Sequence, residues 1–229
     1  MEKQKKTKIK KVLKIVLLLL LVLFILFLVI TVRKMVIYHK VAKQIEQYET
    51  DITNYQVKLY LYQGDRIEIV DYLKRDGIVL SNMKMEDGRE AVFYKNMQSK
   101  ESILRINEED EKVALVMPED KMLVPSVGFG SFVGSNIWTN FIRAITTKSI
   151  TIEECNGKEC YLFDLYNGSR IWMDKDTALR VREINGPVMM QSAQSNISGV
   201  LDAEYQFNTV TEEMVQKPDL TGYEIEQMQ

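Results

Sequence analysis

The stretch IYHKVAKQIEQYETDITNYQVKLYLY, residues 37–62, changes its hydrophobic period once, and that change decides the fold. In its first half Ile37, Val41, Ile45, Tyr48 and Ile52 recur every three or four residues, with Lys40, Lys43, Gln44, Glu46 and Gln47 between them. That is the stripe of an amphipathic helix. From Tyr55 the period becomes two. Tyr55, Val57, Leu59 and Leu61 alternate with Gln56, Lys58, Tyr60 and Tyr62 up to Gly64-Asp65, as in a strand with one dry face. A helix therefore feeds directly into a sheet.

Upstream, residues 15–32 carry no charge and are almost all Leu, Ile, Val and Phe. As a helix they span roughly 27 Å, close to the roughly 30 Å hydrocarbon core of a bilayer. A cleaved secretory signal has a shorter apolar stretch and small residues at its cleavage site. Here Arg33, Lys34 and the bulky Met35-Val36-Ile37-Tyr38 follow instead, so the segment reads as an uncleaved anchor. Seven lysines precede it and fewer basic residues follow it, which predicts a cytoplasmic N-terminus and an extracytoplasmic body. The expected organisation is a basic tail over 1–14, a transmembrane helix over 15–32, a juxtamembrane helix over 33–53 and a folded domain over 54–229.

Downstream, strand-like runs lie at 77–85, 89–95, 102–106, 112–117, 149–155, 160–166, 170–174, 179–184 and 200–209. Asp76-Gly77, Glu86-Asp87-Gly88, the acidic run 108–111, Asn156-Gly157 and Asn167-Gly168 separate them. Such short links join antiparallel neighbours. Between 122 and 147 the pattern is interrupted. Pro125 and the glycines of 128–134 lead to Ser135 or Asn136, a candidate N-cap, and then to Ile137, Trp138, Phe141, Ile142 and Ile145 at helical spacing. The expected class is α+β: an N-terminal transmembrane helix, then a curved antiparallel sheet forming an open half-barrel, with a covering helix and loop.

Composition narrows the function. The chain of 229 residues has a formal charge of −2 and one histidine. Residues 1–34 hold nine Lys or Arg and one Glu, which leaves the remainder at about −10. An acidic body of this kind is repelled by nucleic acid. His39 sits beside the membrane segment, so the domain interior has no imidazole for a Ser-His-Asp site or a His-bound zinc. The glycines of 128–134 lack the spacing and the Lys-Ser/Thr end of a phosphate loop. The run 108–111 lacks the alternating ligands and glycine of a calcium loop. No metal site or cofactor is expected, and the alternative to a non-enzymatic protein is a hydrolase resting on carboxylates alone.

Cys155 and Cys160 flank Asn156-Gly157-Lys158-Glu159, a loop that can bring the two sulfurs across a hairpin. A disulfide and a pair of free thiols both fit that spacing outside the cytoplasm. Methionines and aromatics spread over the strand and loop segments fit either a packed core or an adaptable apolar cavity.

Residues 161–183, with Trp172-Met173-Asp174, then Lys175-Asp176-Thr177 and a returning strand, resemble the outer-membrane lipoprotein carrier (LolA-like) superfamily. Tyr205-Gln206-Phe207-Asn208, followed by Pro218-Asp219-Leu220 and Tyr223, is similar to the closing strand and tail of members from bacteria with one membrane. Ala178-Leu179-Arg180 stands where relatives often have Gly-Leu-Pro, and a membrane helix stands where soluble carriers have a cleaved signal. The resemblance implies a half-barrel whose apolar hollow takes the acyl chain of a lipid or lipoprotein, with Trp172, Asp174 and Thr177 stabilising a turn. Candidate lining residues are Met122, Phe129, Phe132, Trp138, Phe141 and Ile145, with the loop 129–133 as a movable lid. The leading expectation is thus a non-enzymatic, membrane-anchored lipid or lipoprotein binder. Its rival is a protein-interaction or sensory ectodomain that recruits envelope-assembly or regulatory partners through the same sheet with a filled interior.

Overall fold

The computed structural model describes residues 2–63, 65–84, 88–107, 112–118, 136–184 and 199–227. Its first element, α1, is one continuous helix over Glu2–Asp51, about 75 Å long at 1.5 Å per residue. Neither Gly nor Pro occurs before residue 64, so nothing breaks the helix between the apolar run and the amphipathic stripe. The helix is long and apolar enough to cross a membrane. Its side chains over 13–30 are all exposed, whereas Tyr38, Val41, Ala42 and Ile45 are buried.

The chain then enters β1 (Asn54–Gln63), β2 (Asp65–Arg75), β3 (Ile78–Lys84), β4 (Glu90–Asn96), β5 (Glu101–Asn107) and β6 (Lys112–Pro118). Helix α2 (Ile137–Thr146) leads into β7 (Thr147–Cys155), β8 (Lys158–Leu165), β9 (Arg170–Asp174), β10 (Arg180–Ile184) and β11 (Val200–Phe207). A short strand, β12 (Glu224–Gln227), follows. Among the described residues these form one open sheet in the order β12-β6-β5-β4-β3-β2-β1-β11-β10-β9-β8-β7. Two meanders, β1–β6 and β7–β11, are joined by the antiparallel pair β1·β11. The class is α+β with a curved open sheet, as the sequence indicates.

Two strands escape the sequence reading. In β2 the register against β1 slips at Leu59/Tyr60, so Leu61 faces Ile67 but Leu59 faces Val70. The slip changes the apolar phase halfway along the strand and erases the period of two. Strand β12, Glu-Ile-Glu-Gln, is exposed throughout and carries no apolar alternation. It pairs with β6 in parallel, an exception to the otherwise antiparallel ladder.

The sheet has an apolar layer on each side. On the inner side, Tyr38, Val41 and Ile45 of α1 share one cluster with Tyr55, Val57, Leu59 and Leu61 of β1. The same cluster takes in residues of β2, β3, β8, β9 and β11, so the sheet curls round the helix. Fully burying side chains of this size stabilises by about 1.5–3 kcal/mol each. On the outer side, Leu73, Leu80, Tyr94 and Ile103 pack beneath Val210 and Val215. The segment carrying these two valines is tied down at Asn54, which donates to Val210 O at 2.9 Å and accepts from Val210 N at 3.0 Å.

Candidate functional site

The inner side of the sheet divides into two halves. Over β1–β3, β8, β9 and β11 it is occupied by α1, where Tyr38 stacks obliquely on Phe163 with ring centroids 4.9 Å apart. Over β4–β6 the strand register aligns Phe93 with Leu104 and Leu115, and Ala91 with Ile106 and Val113. Phe93, Leu104, Ile106, Val113 and Leu115 are half-buried and lie outside the cluster built on α1. Together they make an apolar shelf beside the helix.

Of these shelf residues the sequence marks only Phe93, as one of the aromatics that fit either a packed core or an apolar cavity, and there is a physical reason why Leu104, Ile106, Val113 and Leu115 escape. Both faces of β4–β6 are apolar, because Val92, Tyr94, Ile103 and Val116 serve the outer layer. Alternation therefore gives no clue to which face is inner. By contrast, the outer groove of about 270 Å³ between β2 and β5 carries Glu68, Asp71, Asn82, Glu90 and Arg105, and Asp71 accepts from Gln56 at 2.7 Å. Ile69, Val70, Met83, Ala91 and Val92 share the lining with these polar groups, whose charges a hydrocarbon chain would have to desolvate.

Of the candidate lining residues, Met122, Phe129 and Phe132 lie outside the described residues, as does the loop 129–133. The others are on α2. Asn136 caps that helix by accepting from Thr139 N at 2.7 Å. Its buried positions are Asn140 and Ala144, and Ala144 joins the inner cluster. Trp138 and Ile145 are exposed, Phe141 is half-buried, and Trp138 meets Phe141 edge-on at 6.4 Å. The small residue at 144 lets the helix approach α1, which turns the larger apolar side chains aside.

The turn after β9 is built on Asp174. Its Oδ1 accepts from Asp176 N at 2.9 Å and from Thr177 N at 3.1 Å, while Thr177 Oγ1 accepts from Leu179 N at 3.4 Å. Burial works against the Asp174 charge, but these backbone bonds and the Lys158 ammonium outweigh it and hold the carboxyl below its usual range. The turn closes with Ala178 at φ 57°, a left-handed conformation that glycine adopts without cost. Trp172 lies on the outer side, packed with Cys155, Cys160, Leu162 and Val181.

Cys155 and Cys160 are free and buried. Asn156-Gly157 forms a two-residue turn with both φ values positive, so Cys155 faces Lys158 and Cys160 faces Glu153. The thiols are diagonal neighbours on one face rather than directly opposed. Burial raises both, Cys160 to about 11, which suppresses thiolate chemistry.

One polar feature is buried among the inner layer. Arg180 Nε and Glu183 Oε2 form an ion pair at 3.3 Å, with the side chains 5% and 0% exposed. Among the described residues no group of His, Cys, Asp and Glu is arranged to hold a metal ion. No family model and no curated protein matches the chain.

Proposed function

We propose that this chain is a single-pass membrane protein whose extracytoplasmic half-barrel holds the acyl chain of a lipid or lipoprotein against the inner face of β4–β6. The observation that carries this reading is the shelf of Phe93, Leu104, Ile106, Val113 and Leu115, apolar and only half-buried beside a helix that leads into the membrane segment. Each CH₂ transferred there from water contributes about 0.8 kcal/mol, so a long chain needs no charged clamp. The excess of lysines before the apolar run supports a cytoplasmic N-terminus. No step of this function calls for a catalytic residue, a metal or a cofactor.

The test is photocrosslinking of the full chain, reconstituted in vesicles, with a diazirine-bearing fatty acid. Labelled peptides are expected from 90–118, and Leu104→Arg removes them without altering the melting temperature. Labelling confined to residues 13–36 would refute the reading.

A second reading has its own support. Tyr38, Val41 and Ile45 fill the hollow beneath β1–β3, β8, β9 and β11, and a filled interior suits an ectodomain that recruits another envelope protein through its surface.

A further inference from the structure

We propose that α2 is a second membrane contact, dipping its apolar arc into the same leaflet that α1 leaves near Val32. The inference rests on α1 spanning a bilayer; it is independent of acyl-chain binding by the sheet. At 100° per residue, Ile137, Phe141, Ile145, Trp138 and Ile142 fall within one arc of about 140°. Thr139, Arg143 and Thr146 lie on the other side of the helix. Ile137, Trp138 and Ile142 are 69%, 72% and 56% exposed and share one arc, and a contiguous exposed apolar patch of this kind marks a contact surface. The buried positions, Asn140 and Ala144, border the arc beyond Ile137, so α2 is held to the protein along one edge of the arc and leaves Trp138, Ile142 and Ile145 outward.

What covers the arc follows from its height on α1. Helix α2 packs alongside α1, and its end is fastened where the apolar run stops. Lys34 Nζ donates to the carbonyls of Thr147 and Lys148, and the Tyr38 hydroxyl is 2.6 Å from Thr147 Oγ1. Thr31 is 4% exposed although Ile30 and Val32 beside it are 54% and 55% exposed. The protein therefore already covers one side of α1 within the last turn of the membrane segment. An α2 of ten residues is about 15 Å long, so from this fastening its free arc stays within reach of the bilayer boundary. Tyr166, 70% exposed and joined through its N–H to Thr146 O at 3.4 Å, adds a second aromatic at this level. Trp and Tyr with aliphatic neighbours are the side chains that settle at a bilayer interface.

The experiment uses the full chain in phosphatidylcholine vesicles, with the lipid brominated either near the headgroup or deep in the chain. Trp138 and Trp172 are the tryptophans present, and Trp138→Phe separates their signals on a surface position that does not endanger folding. The expected result is a blue-shifted Trp138 emission, quenched more by shallow than by deep bromines and shielded from aqueous acrylamide. Free access of acrylamide to Trp138 overturns the proposal. So does protection from both quenchers, which would mean that a second copy or another protein covers the arc. Resistance of the chain to carbonate extraction reports separately on α1, so failure of the anchor and failure of the α2 contact give different results.

Discussion

Replacing Asp174 tests whether the turn between β9 and β10 is held by one carboxylate. In Asp174→Ala two charge-assisted bonds from the N–H groups of Asp176 and Thr177 are lost. Such bonds contribute about 1.5–3 kcal/mol each. Asp176 is exposed and Thr177 half-buried, so water recovers part of this, and the expected loss is about 2–3 kcal/mol. For a chain of this length that lowers Tm by about 5–10 °C. Asp174→Asn keeps the acceptor oxygen without its charge and loses about 1 kcal/mol. The carboxyl is held below its ordinary value. Its stabilisation is therefore complete above the unfolded pKa of about 3.9 and disappears as pH falls through the lower folded value. The gap between the parent protein and Asp174→Asn should close below about pH 4. Thermal unfolding of the full chain in detergent, followed by the emission of buried Trp172 two residues away, reads all three. A change under about 0.5 kcal/mol in Asp174→Ala, or equal losses in the Ala and Asn variants, would refute the account.

Three further outcomes are expected. Ile45→Ala in α1 should cost about 2–4 kcal/mol in a denaturant titration, because Ile45 belongs to the sheet's core; a surface-like change would show that the helix merely passes by. Glu183→Ala should cost about 3–5 kcal/mol by leaving the Arg180 charge buried alone, whereas Arg180→Met with Glu183→Leu should return close to the parent value, as a double-mutant cycle would reveal. Ending the chain after Asn208 should remove about 3–6 kcal/mol through the loss of Val210 and Val215. Hydrogen exchange should then speed up at the amides of β3–β6, β6 having also lost its partner β12, and leave those of β8 and β9 unchanged.

The sequence announces those elements whose environment is uniform. Helix α1 is legible twice over, first as an unbroken apolar run and then as a stripe at Tyr38, Val41 and Ile45. Strand β1 is legible because α1 dries one of its faces and solvent wets part of the other. The hairpin at Asn156-Gly157 is legible because only a few residues accept two successive positive φ values. Reading fails where two demands are superimposed. The slip opposite Leu59/Tyr60 changes the phase of β2, and β12 takes its place through backbone bonds alone. Both faces of β4–β6 are apolar, so the shelf is hidden in the pattern. Helix α2 is found at its correct place from Asn136 and the spacing of its apolar residues. Its orientation is not, because Ala144 and Asn140, rather than Trp138 or Ile145, make the inward contact.

The path of the C-terminal segment sets an order of assembly. During synthesis α1 and β1–β6 emerge first, with α1 at hand to dry part of their inner face. Leu73, Leu80, Tyr94 and Ile103 on the outer face must wait for Val210 and Val215, and β1 must wait for β11. A nascent intermediate thus presents an uncovered apolar surface and a central strand, β1, paired with β2 on one side only. The interval before residues 200–215 arrive is therefore the stage at which a chaperone would be most useful.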